Sequence, residues 1–502
     1  MNHWITLPVL IPFVAAILIE IVGRHHIGAR RVLAVCAGLG TIAAGAYMLL
    51  RTHQGEIFTY AMGGWEAPFG VALVADGLSA LLVTLTGVVS LFAALYSMNR
   101  HDTKGKFFHF FLQMQVAGIC GAVLTGDLFS LFVCFEIMLL ASYNLLVYTG
   151  EERGLKAGVH YVILNLAGSA LFLVAIGTLY GVTGTLNLAD MALRVGELGP
   201  EDTALVRAGG LLLMVVFMLK AAVLPLHLWL PNVYGSATAP VAAFFAILTK
   251  VGVYAILRVS TLVFGSEAGV AADVLAPYLL PLAALTLALG MLGALGSLRL
   301  RKALGFLIVA SIGTMLMSIG LYTPEGIAAG LYYLVHSTLG IAMLFLLVDL
   351  IARQRGEKDD RLVVARAPAQ RALLGLLFFA GAIAVVGLPP LSGFLGKVWV
   401  LQASLMTPHV VVVWVAILLT SVLALVALSR AGSLIFWKGE EADDEERVPR
   451  ATAFELLPVF GLLACLILYT LFSGPAAELC MMIAEGLLSP GDYIEAVMGV
   501  RP

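Results

Sequence analysis

The stretch Phe217-Met218-Leu219-Lys220-Ala221-Ala222-Val223-Leu224-Pro225-Leu226-His227 sets a lysine and then a proline deep inside an apolar run. Lys220 lies thirteen residues beyond Arg207, and a helix rising about 1.5 Å per residue carries it roughly 20 Å from that end. Pro225 lacks a backbone donor and crowds the preceding turn, so the helix is interrupted there. The same pattern returns at Gly387-Leu388-Pro389-Pro390-Leu391-Ser392-Gly393-Phe394-Leu395-Gly396-Lys397, where prolines and glycines break a second apolar run. Taken alone, either stretch reads equally well as an ordinary proline kink. Freed backbone groups in a bilayer are tolerated only where protein covers them or a hydrated cavity receives them. Two interrupted spans, each with a lysine and crossing in opposite directions, therefore mark an inverted-repeat transporter.

The composition agrees with a membrane setting. Of 502 residues, 61% are apolar and 12% charged, against about 45–50% and about 25% in soluble domains. A soluble chain so poor in charge could not cover its own surface, so the protein is integral to a membrane. A net charge of −2 gives no reason to expect nucleic-acid binding. The five cysteines (Cys36, Cys120, Cys134, Cys465, Cys480) show no CxxC and no metal-ligand spacing, and read as small buried hydrophobes. No pair of intramembrane histidines stands at haem spacing either, so no cofactor and no metal are expected. Met1 to Gly23 lacks a basic leader and a small-residue cleavage site, and is read as the first span.

Crossing the hydrocarbon core takes about 20 apolar residues in a helix. The apolar runs predict fourteen spans, near 4–23, 32–50, 71–97, 107–124, 127–148, 159–183, 207–224, 239–264, 272–297, 303–321, 328–351, 372–404, 409–437 and 451–473. Twenty of the 29 lysines and arginines fall in alternate connections, near 24–31, 100–106, 153–156, 299–302, 353–371 and 438–450. Four (Arg51, Arg194, Arg207 and Arg501) fall on the other side. By the positive-inside rule this is a multi-pass cell-membrane protein with both termini outside. Residues 51–70 are read as an external hairpin, 184–206 as a polar, partly helical external connection, and the acidic run Glu440 to Glu446 as a solvated cytoplasmic loop.

Among the charges within the spans four stand out: Glu136, Lys220, Lys250 and Lys397. A charge at mid-bilayer costs about 2.5–3.5 kcal/mol even on a mild insertion scale, so each is a functional candidate. Burial disfavours a charged form and pairing restores it. A lysine that gains and loses a carboxylate partner can thus release and recapture a proton, which arginine cannot do. The competing reading is a static buried ion pair with snorkelling lysines, strongest for Lys397, which lies nearest an interface. Asp76, Asp127, Glu20, Asp349 and Arg258 lie near span ends and read as caps or snorkelling groups. His227, read as facing a cytoplasmic vestibule, and His336, inside span eleven, are relay candidates of second rank.

Together these motifs resemble a family. Gly126-Asp127-Leu128-Phe129 with Glu136 and Ser142-Tyr143-Asn144-Leu145-Leu146 opens the series, followed by Lys220 with Pro225-Leu226-His227-Leu228-Trp229-Leu230-Pro231. Leu248-Thr249-Lys250-Val251-Gly252-Val253-Tyr254 with Arg258, and Leu388-Pro389-Pro390-Leu391-Ser392-Gly393-Phe394 with Lys397, complete it. The set resembles the antiporter-like subunits shared by respiratory complex I, membrane-bound hydrogenases and Mrp-type cation/proton antiporters. Leu248–Ala255 and the Val335-His336-Ser337-Thr338-Leu339 run are most similar to the D-type component of the Mrp complex. The resemblance implies an all-α membrane fold of two inverted five-helix repeats, near 107–264 and 272–437, flanked by helices within 4–97 and 451–473, with spans seven and twelve discontinuous. It also implies a Glu136–Lys220 ion pair, a central Lys250 and Lys397 near the outer exit of a hydrated axis.

The implied activity is exchange of sodium (or lithium or potassium) for protons by a secondary transporter, without a cofactor and not as an enzyme. Its partners would be the other Mrp subunits. The alternative is a proton-pumping subunit of complex I or a hydrogenase, and a further rival is a scaffold with immobile charges. Two departures stand out: Asn232 replaces an acidic residue of many relatives, and Ile341 replaces a lysine five positions after His336. A relay through that point would have to use His336 or water.

Overall fold

A computed structural model of the chain describes residues 2–23, 26–105, 107–439 and 450–499. The apolar runs form helices in chain order: α1 (Leu7–Ile21), α2 (Ile27–Thr52), α3 (Gly77–Ser97), α4 (Phe108–Leu124), α5 (Leu128–Val147), α6 (Glu152–Thr183) and α7 (Leu188–Glu197). They continue with α8 (Thr203–Ala221), α9 (Trp229–Ser236), α10 (Ala239–Phe245), α11 (Leu248–Leu262), α12 (Ala276–Gly296), α13 (Leu300–Ile319) and α14 (Pro324–Gln354). The last are α15 (Arg371–Val386), α16 (Ser392–Ser404), α17 (Val410–Gly432), α18 (Ala453–Leu471), α19 (Ser473–Leu488) and α20 (Pro490–Met498). The α10–α11 pair is buried along its whole length and α14 over all but its ends, whereas α17 and α18 turn most of their surface outward. The core therefore runs along α10, α11, α13 and α14, and the outer helices present leucines and valines as lipid or partner would require.

Among the described residues twelve helical stretches are long and apolar enough to cross a membrane. Two more apolar helices, α4 and α15, are shorter, and the expected count of fourteen depends on including them. The external hairpin is present but shifted. Strands β1 (Phe58–Ala61) and β2 (Ala72–Ala75) pair antiparallel with Phe58 opposite Ala75, so β2 takes residues expected at the start of span three. Asp76 then caps α3 through a reciprocal pair of bonds with Ser79, and Asp127 caps α5 by accepting from the Ser130 amide at 2.7 Å. The connection 184–206 contains α7, as its polarity suggests. Helices α19 and α20 lie beyond the last expected span. The acidic run from Glu440 to Glu446 lies outside the described residues.

Three helices are interrupted. Helix α8 stops at Ala222, which is left-handed (φ 58°), and α15 stops at Gly387, left-handed at φ 82°. Each break leaves a backbone donor with no helical partner, and a threonine from a neighbouring helix takes it. The Leu224 amide donates to Thr286 Oγ1 of α12 at 3.0 Å, and the Ser392 amide to Thr470 Oγ1 of α18 at 2.9 Å. This is the backbone satisfaction that an apolar surrounding demands. The third interruption, between α10 and α11 just before Lys250, carries no proline inside it and is not legible as a break.

Two residues read as end-of-span groups are buried partners instead. Arg258 of α11 reaches Asp76 at 2.5 Å, under the rings of Tyr254 and Tyr493. Asp349 of α14 accepts from Tyr96 Oη at 3.0 Å and from Arg301 at 3.1 Å, with His101 at 3.4 Å. At the same end Asp102 joins Arg31 at 2.7 Å and His109 at 3.2 Å, and Arg353 joins Glu455 at 2.7 Å. These pairs tie α2, α3, α4, α13, α14 and α18 together where the basic connections lie. Removing one member of a buried pair strands the other, at about 3–5 kcal/mol. Arg258→Ala is therefore expected to lower the melting temperature of the purified assembly; an unchanged transition would show that the Asp76 pair stabilises nothing.

Candidate functional site

Glu136, on α5, is half-buried and accepts a short hydrogen bond from Ser169 Oγ of α6. Lys220, in the last turn of α8, is 5% exposed and donates from Nζ to Asn165 Oδ1 of α6 at 3.3 Å. Its ammonium also lies 6.0 Å from the Phe135 ring centroid, within reach of a cation–π attraction. Asn165 and Ser169 are four residues apart and so share one face of α6. The direct Glu136–Lys220 ion pair implied by the resemblance is not formed among the described residues. The acid and the base are instead held one helical turn apart on a common polar face. Sequence reasoning misses Asn165 and Ser169, although two polar groups at that spacing in an apolar span are an available signal.

Beneath this pair an aromatic wall fixes the break after α8. Trp229 stacks on Tyr161 with centroids 5.0 Å apart, and its Nε1 donates to the Leu219 carbonyl at 3.2 Å. Tyr161 Oη lies 3.0 Å from Ser142 Oγ, within hydrogen-bonding distance. His227 is only 6% exposed, and its Nδ1 has no protein partner among the described residues. It therefore does not open onto the solvent vestibule expected for it.

Lys250 is fully buried in α11, and its Nζ meets no hydrogen-bond partner among the described protein groups. A lone charge there is costly, so this position calls for water or for a neutral amine. Lys397, on α16, reaches back across the second break. Its Nζ donates to the Val386 carbonyl, the last of α15, at 2.7 Å and to Ser421 Oγ of α17 at 2.8 Å. A cation at a helix C-terminus is favoured by the helix dipole. His336 is fully buried in α14, with Nδ1 2.8 Å from Ser392 Oγ. It shares with Lys397 a cavity of about 10 Å³, which Ile341, Ser311 and Thr314 also line; that is room for about one water. Among the described residues no group of three or more His, Cys, Asp or Glu side chains gathers as a metal site.

Interrupted apolar helices carrying buried lysines, with a glutamate on a neighbouring helix, define a polytopic membrane protein of the ion-translocating class. The family model described as NADH:quinone oxidoreductase/Mrp antiporter, TM matches residues 125–424, and the chain belongs to that family. It is 38% identical to the D component of a probable K(+)/H(+) antiporter of Rhizobium meliloti (strain 1021), over 99% of this chain and 98% of that protein. It is 36% identical to the D component of the Na(+)/H(+) antiporter of Alkalihalophilus pseudofirmus, over 99% and 100%. A chain in the structure of the Mrp complex from Dietzia sp. DQ12-45-1b superposes with a TM-score of 0.88 at 26% identity, covering 99% of this chain and 100% of that one.

Close backbone approach holds the second break. A Cβ on Gly393 would overlap the Ala384 carbonyl oxygen and lie 2.6 Å from His336 Nε2. Gly393→Ala is expected to displace α16 and with it Lys397, abolishing ion exchange in vesicles and lowering the yield of assembled complex. Full rate at normal yield would show that the close approach is not required.

Proposed function

We propose that the chain is the proton-translocating membrane subunit of a multisubunit monovalent-cation/proton antiporter, a transporter subunit rather than a catalytic enzyme. The observation that carries this reading is the series of separately held charges, half-buried Glu136 and buried Lys220, Lys250 and Lys397, in a chain whose relatives are named as antiporter components. Helices α4–α11 and α12–α17 then act as two inverted repeats around one polar axis. Glu136 and Lys220, held apart on the Asn165–Ser169 face, take up and release the proton in turn, Lys250 passes it centrally, and Lys397 delivers it at the far side. His336 shares a cavity with Lys397, where Ile341 offers no charge. The basic connections lie in the cytoplasm, and both termini outside.

A relay needs groups that change protonation, and removing one interrupts every cycle. Glu136→Ala and Lys220→Ala are each expected to abolish exchange while leaving assembly intact. The assay uses inside-out vesicles from antiporter-deficient cells, with the chain expressed beside its neighbouring subunits and a preset proton gradient. Sodium or potassium is then added, and collapse of the gradient is followed. Full activity in either variant would remove the relay assignment. No collapse with the unaltered, fully assembled complex would favour a pump driven by redox chemistry elsewhere. For orientation, a cysteine placed at Thr407 is expected to react with an impermeant reagent from outside only; labelling from the cytoplasmic side alone would invert the topology.

A further inference from the structure

We infer that Ser392 is a positioning residue for the proton step at His336, and that Thr470 holds Ser392 in place; this rests on the relay reading above. His336 and Ser392 are both fully buried, and Ser392 Oγ lies 2.8 Å from His336 Nδ1. The other ring nitrogen, Nε2, has no protein partner among the described residues. The imidazole is thus anchored on one side, while its ring lines the water-sized cavity that also receives Lys397.

A hydroxyl suits this anchor. It has one donor and two acceptor sites, so Ser392 can accept from Nδ1–H or donate to a bare Nδ1. Either neutral tautomer is then supported, and Nε2 can hold or lack a proton without loss of the anchoring bond. A carboxylate would favour the charged ring instead. An alanine would leave Nδ1 unpaired and the ring free to turn.

The anchor is itself fixed twice. Ser392 is the first residue of α16, so its amide has no helical acceptor, and Thr470 Oγ1 accepts it at 2.9 Å. The Thr470 hydroxyl donates in turn to the Leu466 carbonyl at 2.8 Å. Next along the chain, Gly393 packs against the Ala384 carbonyl with no room for a Cβ. Helix α18, outside both proposed repeats, thereby sets the position of an imidazole inside the second one. The charged or titratable groups facing His336 across the cavity are Lys397 of α16 and Tyr333 of its own helix. Ile341 lines the same space, so no second lysine shares it with Lys397.

The test uses the assembled complex in the vesicle assay, with rate measured across pH. Loss of one hydrogen bond of this kind changes a rate about three- to tenfold. Ser392→Ala is expected to lower exchange by that factor and to shift the pH optimum, at unchanged complex yield. Ser392→Thr should restore most of the rate. Thr470→Val, which keeps the serine hydroxyl, should give a smaller loss with a shift in the same direction. Because the serine acts only through the ring, His336→Ala should lose at least as much exchange as Ser392→Ala. An unchanged rate and pH optimum in Ser392→Ala, or a greater loss in Ser392→Ala than in His336→Ala, overturns the inference. If His336→Ala is also fully active, the second-half relay falls with it; if only Ser392→Ala is, the relay stands and the positioning role does not.

Discussion

A protonated amine in the interior of a membrane must find several acceptors, and an uninterrupted apolar helix offers few. Each backbone carbonyl along it already accepts one bond within the helix. Breaking the helix releases acceptors at a chosen depth, and the rest of this structure follows from where the breaks fall. At the second break the released Val386 carbonyl receives the Lys397 ammonium at 2.7 Å. At the first, Lys220 occupies the last turn of α8, and its acceptor comes from Asn165 of the neighbouring α6. The donors freed on the other side of each break go to threonines, Thr286 and Thr470. The interruptions are thus closed hydrogen-bonding units, stable enough to persist and polar enough to hold charge.

The same constraint explains the separation of Glu136 from Lys220. A direct buried pair would leave each group with a partner that is hard to give up, since the attraction is strong where the dielectric is low. Neutral hydrogen-bonding partners, Ser169 for the acid and Asn165 for the base, hold both side chains without neutralising either. Weak, replaceable partners suit groups that must exchange protons. At the basic end the opposite design prevails. Asp349 meets Arg301, Arg353 and His101, and Asp102 meets Arg31 and His109, and such multiply paired carboxylates fasten helices together.

Much of this is legible in the sequence because it depends on residue types that are rare in membranes. The lysines, Glu136 and the prolines stand out against apolar runs, and alternation of basic connections follows the chain's passage back and forth. The prolines place two breaks within a few residues of where they occur. The third, before Lys250, has no such marker. Ser392 and Ser421 do not stand out, since a lone hydroxyl in an apolar span usually bonds its own helix, and the Asn165–Ser169 spacing marks a polar face without showing what it meets. Their role depends on which neighbour they face, which periodicity alone does not give. Arg258 and Asp349 mislead for a related reason: nearness to a span end suggests solvent, but α19, α20 and the loop after α3 cover those ends. The direct Glu136–Lys220 pair, carried over from the resemblance, gives way to two bonds on α6.

On the proposed function the buried lysines change protonation during turnover rather than serve as fixed charges. Lys250, fully buried and without a protein partner among the described residues, is the residue where these two roles differ most. Arginine keeps a positive charge but does not release its proton in a protein. The decisive measurement is cation-driven collapse of a proton gradient by complexes carrying Lys250→Arg, at matched amounts of assembled protein. The account predicts loss of exchange of at least about tenfold, because the charge remains while the proton step does not. Exchange at the unmodified rate would contradict it and leave Lys250 as a static charge.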